Sequence, residues 1–93
     1  MKIHLKIISP KLKNSLQTEF TIEETSEEMG FNKLISKIKE YDPVIYNEIS
    51  YENVLNSSYM CVINNELVTN SQRDTLTLHD GDTISISFAI GGG

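Results

Sequence analysis

Near the start of the chain the apolar residues alternate in strict period two, and further along that period gives way to the period of a helix. Lys2 to Ser9 puts Ile3, Leu5 and Ile7 on one face, the pattern of a half-buried strand. Ser9-Pro10 and the polar stretch Lys11 to Ser15 break it, and alternation resumes through Leu16, Thr18, Phe20 and Ile22. Two strands joined by a short polar loop predict a hairpin, with a connection longer than a two-residue turn. Phe31, Leu34, Ile35 and Ile38, with Tyr41 one turn on, then follow helical spacing, while Asn32, Lys33, Ser36, Lys37 and Lys39 fall outside the stripe. Thr25 and Glu28 have capping-box spacing, and Glu27 and Glu28 suit the positive end of a helix dipole. Gly30 weakens the first turn, so the helix begins between Ser26 and Phe31. Asp42-Pro43 stops it, because the residue before proline is pushed out of the helical region. Pro43 then opens a second short helix, Val44 to Ile49, capped by Asp42.

Ser50 to Ser58 has weak periodicity and is expected to be loop. Tyr59 to Ile63 is rich in strand formers and predicts a buried strand. Asn64-Asn65 reverses the chain, since Asn tolerates positive φ, and Glu66 to Thr69 leaves as a short strand. Asn70 to Asp74 forms another polar connection before Leu76 and Leu78. Asp80-Gly81-Asp82 is a strong turn signal, followed by a last strand, Thr83 to Phe88, with Ile84, Ile86 and Phe88 on one face. The expectation is an α+β fold: a mixed sheet of about five strands packed on one main helix. With 93 residues the chain makes one small domain, taken as residues 1–90, followed by a flexible glycine tail at 91–93.

Charge and cysteine content narrow the function. Thirteen acidic against 8 basic residues give a net charge of −5, which repels phosphate backbones, so no nucleic-acid partner is expected. A basic protein surface is the partner such a charge would steer towards; keeping a small protein soluble accounts for it equally well. The single Cys61 excludes an intramolecular disulfide and a Cys-based zinc site, and fits a reducing compartment. The longest apolar run, Tyr59 to Ile63, is too short to span a bilayer, and the alternating N-terminus is unlike a signal peptide. The expectation is a soluble cytoplasmic protein with no membrane partner.

The residue types offer no active site. His4 and His79 lack a second ligand at metal-binding spacing and are expected to be ordinary strand or surface histidines. Cys61, between Met60 and Val62, is expected to be a buried small hydrophobe rather than a nucleophile. Asn56-Ser57-Ser58 matches a glycosylation acceptor, which has no meaning without a secretory signal. No P-loop, dinucleotide fingerprint or nucleophile elbow is present, and the carboxylates are scattered. The sequence ends differently, on Gly91-Gly92-Gly93 directly after a strand pattern. Glycines contribute nothing to a core, and an extended Ala89 to Gly93 would reach about 17 Å. Such an arm can thread a channel too narrow for a Cβ and deliver a terminal carboxylate to a nucleotide's α-phosphate. The acyl adenylate formed would accept a sulfur or nitrogen nucleophile. On the residues alone the glycines are equally a frayed end or a cloning remnant.

His79-Asp80-Gly81-Asp82-Thr83-Ile84 through Gly93, taken with Val62-Ile63-Asn64-Asn65-Glu66-Leu67-Val68, resembles the ubiquitin-like sulfur carriers. The similarity covers the whole chain and is greatest to the small subunit of molybdopterin synthase and its archaeal-type relatives. It implies a β-grasp fold with the first and last strands parallel in the middle of the sheet. It also implies that an adenylating enzyme of the ubiquitin-activating type uses ATP on Gly93, after which sulfur replaces the adenylate as a thiocarboxylate. In the molybdopterin case the tail enters the large synthase subunit and gives its sulfur to a pterin precursor. The chain would bind no cofactor itself and would be a co-substrate rather than an enzyme. Gly92 and Gly93 match the family's terminal pair, Gly91 its small preceding residue, and Phe88 an apolar contact residue. Many relatives have prolines before the tail, whereas Ser87-Phe88-Ala89-Ile90 has none. A carrier for tRNA thiolation, a modifier joined to lysines, and a β-grasp interaction domain with incidental glycines are the alternatives.

Overall fold

The computed structural model describes residues 1–10 and 17–88. In chain order the elements are β1 (Lys2–Ile8), β2 (Gln17–Glu23), β3 (Glu28–Gly30), α1 (Phe31–Tyr41), α2 (Pro43–Ile49), β4 (Ser50–Tyr51) and β5 (Val54–Leu55). They continue with β6 (Tyr59–Ile63), β7 (Glu66–Val68), α3 (Asn70–Arg73), β8 (Thr77–His79) and β9 (Thr83–Phe88). Five strands form one sheet in the order β2-β1-β9-β6-β7. Among the described residues of this sheet only β1 and β9 run parallel, from His4 opposite Thr83 to Ile8 opposite Ser87; β1–β2, β6–β9 and β6–β7 are antiparallel.

The expected alternation decides which face is dry. Ile3, Leu5 and Ile7 of β1, Ile22 of β2, Tyr59, Cys61 and Ile63 of β6, and Ile84 and Ile86 of β9 are all buried. The helical stripe Phe31, Leu34, Ile35 and Ile38 joins the same core. A parallel central pair cannot be closed by a hairpin, so the chain must cross over the sheet, and α1 belongs to that crossover. A mixed five-stranded sheet with this central pair and one main helix on one face is the β-grasp architecture, of the α+β class.

Four expectations change. Helix α1 begins at Phe31, the last of the expected starting positions, but with Gly30 as its N-cap and no side-chain cap. Glu28–Gly30 is instead a strand paired with Thr77–His79, so no capping box joins Thr25 to Glu28. Burying Met29 opposite Leu78 outweighs one extra helical turn. Tyr41 leaves the core stripe: it is half exposed and stacks on Phe20, centroids 5.3 Å apart. Ser50 to Ser58 is not plain loop but carries the β4–β5 hairpin, turned by Glu52 and Asn53 at φ 50° and 64°. Asn70–Arg73 is a short helix rather than an irregular connection, closed by a Thr69–Gln72 capping box.

The remaining boundaries agree. Asp42 caps α2, its Oδ1 accepting from the Val44 and Ile45 amides at 3.0 and 3.3 Å. Asn64 and Asn65 take φ 50° and 71° between β6 and β7. The polar loop Lys11 to Ser15, with Leu16, lies outside the described residues.

Candidate functional site

The far end of β9 is where the sequence places its chemistry, and the neighbouring strands brace it. Phe88 is half-buried and packs on the core, meeting the Tyr59 ring edge-on at 5.4 Å with the planes at 76°. The two residues are register partners across β6 and β9. Tyr59 is itself pinned on both sides. Its hydroxyl lies 2.8 Å from Ser9 Oγ and 3.4 Å from Glu48 Oε2, and its carbonyl accepts from Arg73 Nη2 at 2.7 Å. Burial together with the Glu48 charge pushes the Tyr59 phenol pKa up, against the Ser9 hydrogen bond. Phe88 is therefore packed on the core while part of it stays accessible. Gly91, Gly92 and Gly93 lie outside the described residues.

The acidic turn at the other end of β9 is structural. Asp80 Oδ1 accepts from the Lys2 amide at 2.7 Å, and the Gly81 amide donates to the Lys2 carbonyl at 2.8 Å. Asp82 accepts from the His79 amide at 2.8 Å and from Asn64 Nδ2 at 2.9 Å, while Asn64 Oδ1 accepts from the Thr83 amide at 3.0 Å. These bonds fasten the β6–β7 turn to the start of β9. The two motifs that carry the family resemblance thus meet in space and hold the central strands in register.

The other candidates have the ordinary roles expected of them. Cys61 is fully buried, and burial pushes its thiol up to about 11, so it stays protonated and unreactive at neutral pH. His4 and His79 are exposed strand residues; His79 Nε2 lies 3.5 Å from Glu28 Oε2. Among the described residues no three His, Cys, Asp or Glu side chains gather as a metal site. No helix among them is long and apolar enough to cross a membrane.

Tyr59 and Arg73 are the residues that sequence reasoning passed over. Tyr59 counted only as a strand former, and Arg73 only as part of a polar connection. The one signal available was that Arg73 is the chain's single arginine.

The chain matches no protein-family model and no curated protein. Among solved structures it is similar to the solution structure of the Haloferax volcanii HVO 2177 protein, with a TM-score of 0.69 at 12% identity. The match covers 100% of this chain and 87% of that one. At that identity the likeness speaks for the β-grasp fold.

Proposed function

We propose that this chain is a ubiquitin-like sulfur carrier whose C-terminal residue is Gly93. The supporting observation is that β9, the central strand of a β-grasp sheet, ends at Phe88, from which the sequence runs on as Ala89-Ile90-Gly91-Gly92-Gly93. A carboxylate oxygen of Gly93 attacks the α-phosphorus of ATP held by an adenylating enzyme of the ubiquitin-activating type, and pyrophosphate leaves. Hydrosulfide then attacks the acyl carbon, AMP leaves, and loss of the sulfur's proton leaves a thiocarboxylate. The receiving partner in this reading is the large subunit of molybdopterin synthase, with Gly91 and Gly92 threading its channel and Phe88 resting on its mouth. In this reading all catalytic groups belong to the partners.

Intact-mass analysis of the protein purified from its own cells tests the reading. The expected species ends at Gly93 and carries one sulfur in place of one oxygen after incubation with the activating enzyme, ATP and a sulfur donor. A chain that ends elsewhere, or that never gains the sulfur, overturns it.

A further inference from the structure

Beside α3 lies a cleft of about 560 Å³ whose opposite wall is the β4–β5 hairpin. Arg73 lines it in a condition that buried arginines rarely have. The residue is only 7% exposed, yet among the described residues its guanidinium makes one hydrogen bond, the one to the Tyr59 carbonyl. Nε is enclosed without a hydrogen-bond partner among the described residues. The ion pairs among the described residues all belong to lysines and to His79, so no carboxylate among them lies within ion-pair distance of this cation. A guanidinium does not give up its proton in proteins, so a buried charge stays on Arg73 with no ion pair among the described residues. Burial pushes its pKa down for the same reason. Buried donors are satisfied as a rule, and this one has donors to spare.

The rest of the cleft indicates what would satisfy it. Tyr51 and Val54, cross-strand partners on the hairpin, are 73% and 57% exposed. They are held in place, because the turn between them is locked: the Tyr46 hydroxyl donates to Asn53 Oδ1 at 2.8 Å and accepts from the Asn53 amide at 2.9 Å. Leu55 continues the apolar wall, and Asn56 and Asn70 add amides. Glu52 and Asp74 also line the cleft. Two acids there oppose a multiply charged phosphate or a nucleic-acid backbone, but leave the attraction between Arg73 and one carboxylate.

We propose that this cleft docks an acidic segment of a partner protein: one Glu or Asp carboxylate sits on the Arg73 guanidinium, and an adjacent apolar residue covers Tyr51 and Val54. Arginine suits this role because its planar fork matches a carboxylate, and a desolvated charge pair ringed by apolar contact is how small interfaces gain specificity. The inference stands apart from the sulfur-carrier reading, since it uses no residue of the tail.

An amide-resolved NMR titration of the full chain with the capped tripeptide acetyl-Leu-Glu-Leu-amide tests it. Saturable shifts are expected at Leu55, Asn56, Ser57 and Asn70, weakening as salt is raised. The Gln counterpart of the peptide should bind at least about tenfold more weakly, and Tyr51→Ala should weaken the Glu peptide by a similar factor. Because Tyr51 is exposed, that variant keeps its fold even if Arg73→Gln does not. Equal binding of the Gln peptide overturns the proposal, as does a complete absence of saturable shifts. It also falls if acetate alone or AMP binds as tightly as the Glu peptide. Cleft shifts that appear on concentrating the protein without peptide would make a second copy the occupant and overturn it as well.

Discussion

The rings of Tyr59 and Phe88 meet edge to face, 5.4 Å between centroids, at the point where β9 ends. Tyr59 is 2% exposed and is tied by its hydroxyl to Ser9 and by its carbonyl to Arg73. A rigid tyrosine therefore supports one side of a half-buried phenylalanine. Core packing and partner contact are not exclusive for such a residue, because it is packed on the core without being fully buried.

Phe88→Ala should show both roles at reduced size. A fully buried Phe→Ala change costs about 3–5 kcal/mol, so a half-buried ring should cost about 2 kcal/mol in a urea melt. Titration calorimetry with the activating enzyme should show binding weakened by about tenfold or more if Phe88 is an interface anchor. A melt showing the full core penalty would mean that the outer edge is not free for a partner.

Deleting Gly93, or adding one residue after it, should abolish activation while leaving the thermal midpoint in place. One residue shifts the reacting carboxylate by roughly 3.5 Å, far more than the roughly 1 Å error that already costs about 100-fold. ATP–pyrophosphate exchange reads the effect, and unchanged exchange by the shortened chain would remove the tail from the mechanism.

Leu34 and Ile38 are fully buried on α1. Replacing either by Ala should destabilise the domain by about 2–5 kcal/mol, a large share of what so small a fold possesses. Urea melts within about 0.5 kcal/mol of the parent would contradict this packing.

Two glycines should respond differently to the same change. A Cβ at Gly81 meets nothing within 4 Å, but φ there is +86°, so Gly81→Ala is expected to cost on the order of 1 kcal/mol from backbone strain alone. Gly30 also has space, with φ at −70°, and its Ala variant should stay within about 0.5 kcal/mol of the parent. Equal losses at both sites would mean that φ is not the cause at Gly81.

Glu24 should titrate far below the ordinary value of a glutamate side chain. The Lys37 ammonium, 3.2 Å away, and the Thr25 amide hold its carboxyl down at about 2. A depressed carboxylate stabilises the fold above its unfolded pKa, near 4.5, and the contribution is lost as pH falls from there through about 2. Carbon-detected NMR should place the Glu24 midpoint near 2, and Lys37→Met should raise it towards the ordinary range. A midpoint indifferent to Lys37 would rule out the ion pair as its main cause.

Much of the sheet was legible because its pattern is local. The strands Tyr59–Ile63 and Thr83–Phe88 and the stripe of α1 announce themselves by period, and Asp42-Pro43 and Asn64-Asn65 by residue types with fixed backbone preferences. Strand β3 was not legible. Three residues are too few to show a period, and the partner that makes Glu28–Gly30 extended, Thr77–His79, comes from the far end of the chain. The β4–β5 hairpin was hidden for a related reason. Its turn puts Glu52, a residue with no turn preference, at positive φ, and a hydrogen-bonded Tyr46 from α2 holds it there.

By itself, then, the sequence determined the period of each long element, the stops between them and the glycines that follow β9, since all of these depend on neighbours within a few residues. Tertiary structure alone decided that Phe88 rests on Tyr59 and that the single arginine lies enclosed with no ion pair among the described residues. Burial and charge compensation depend on what distant segments bring to the same place, and no local pattern carries that information.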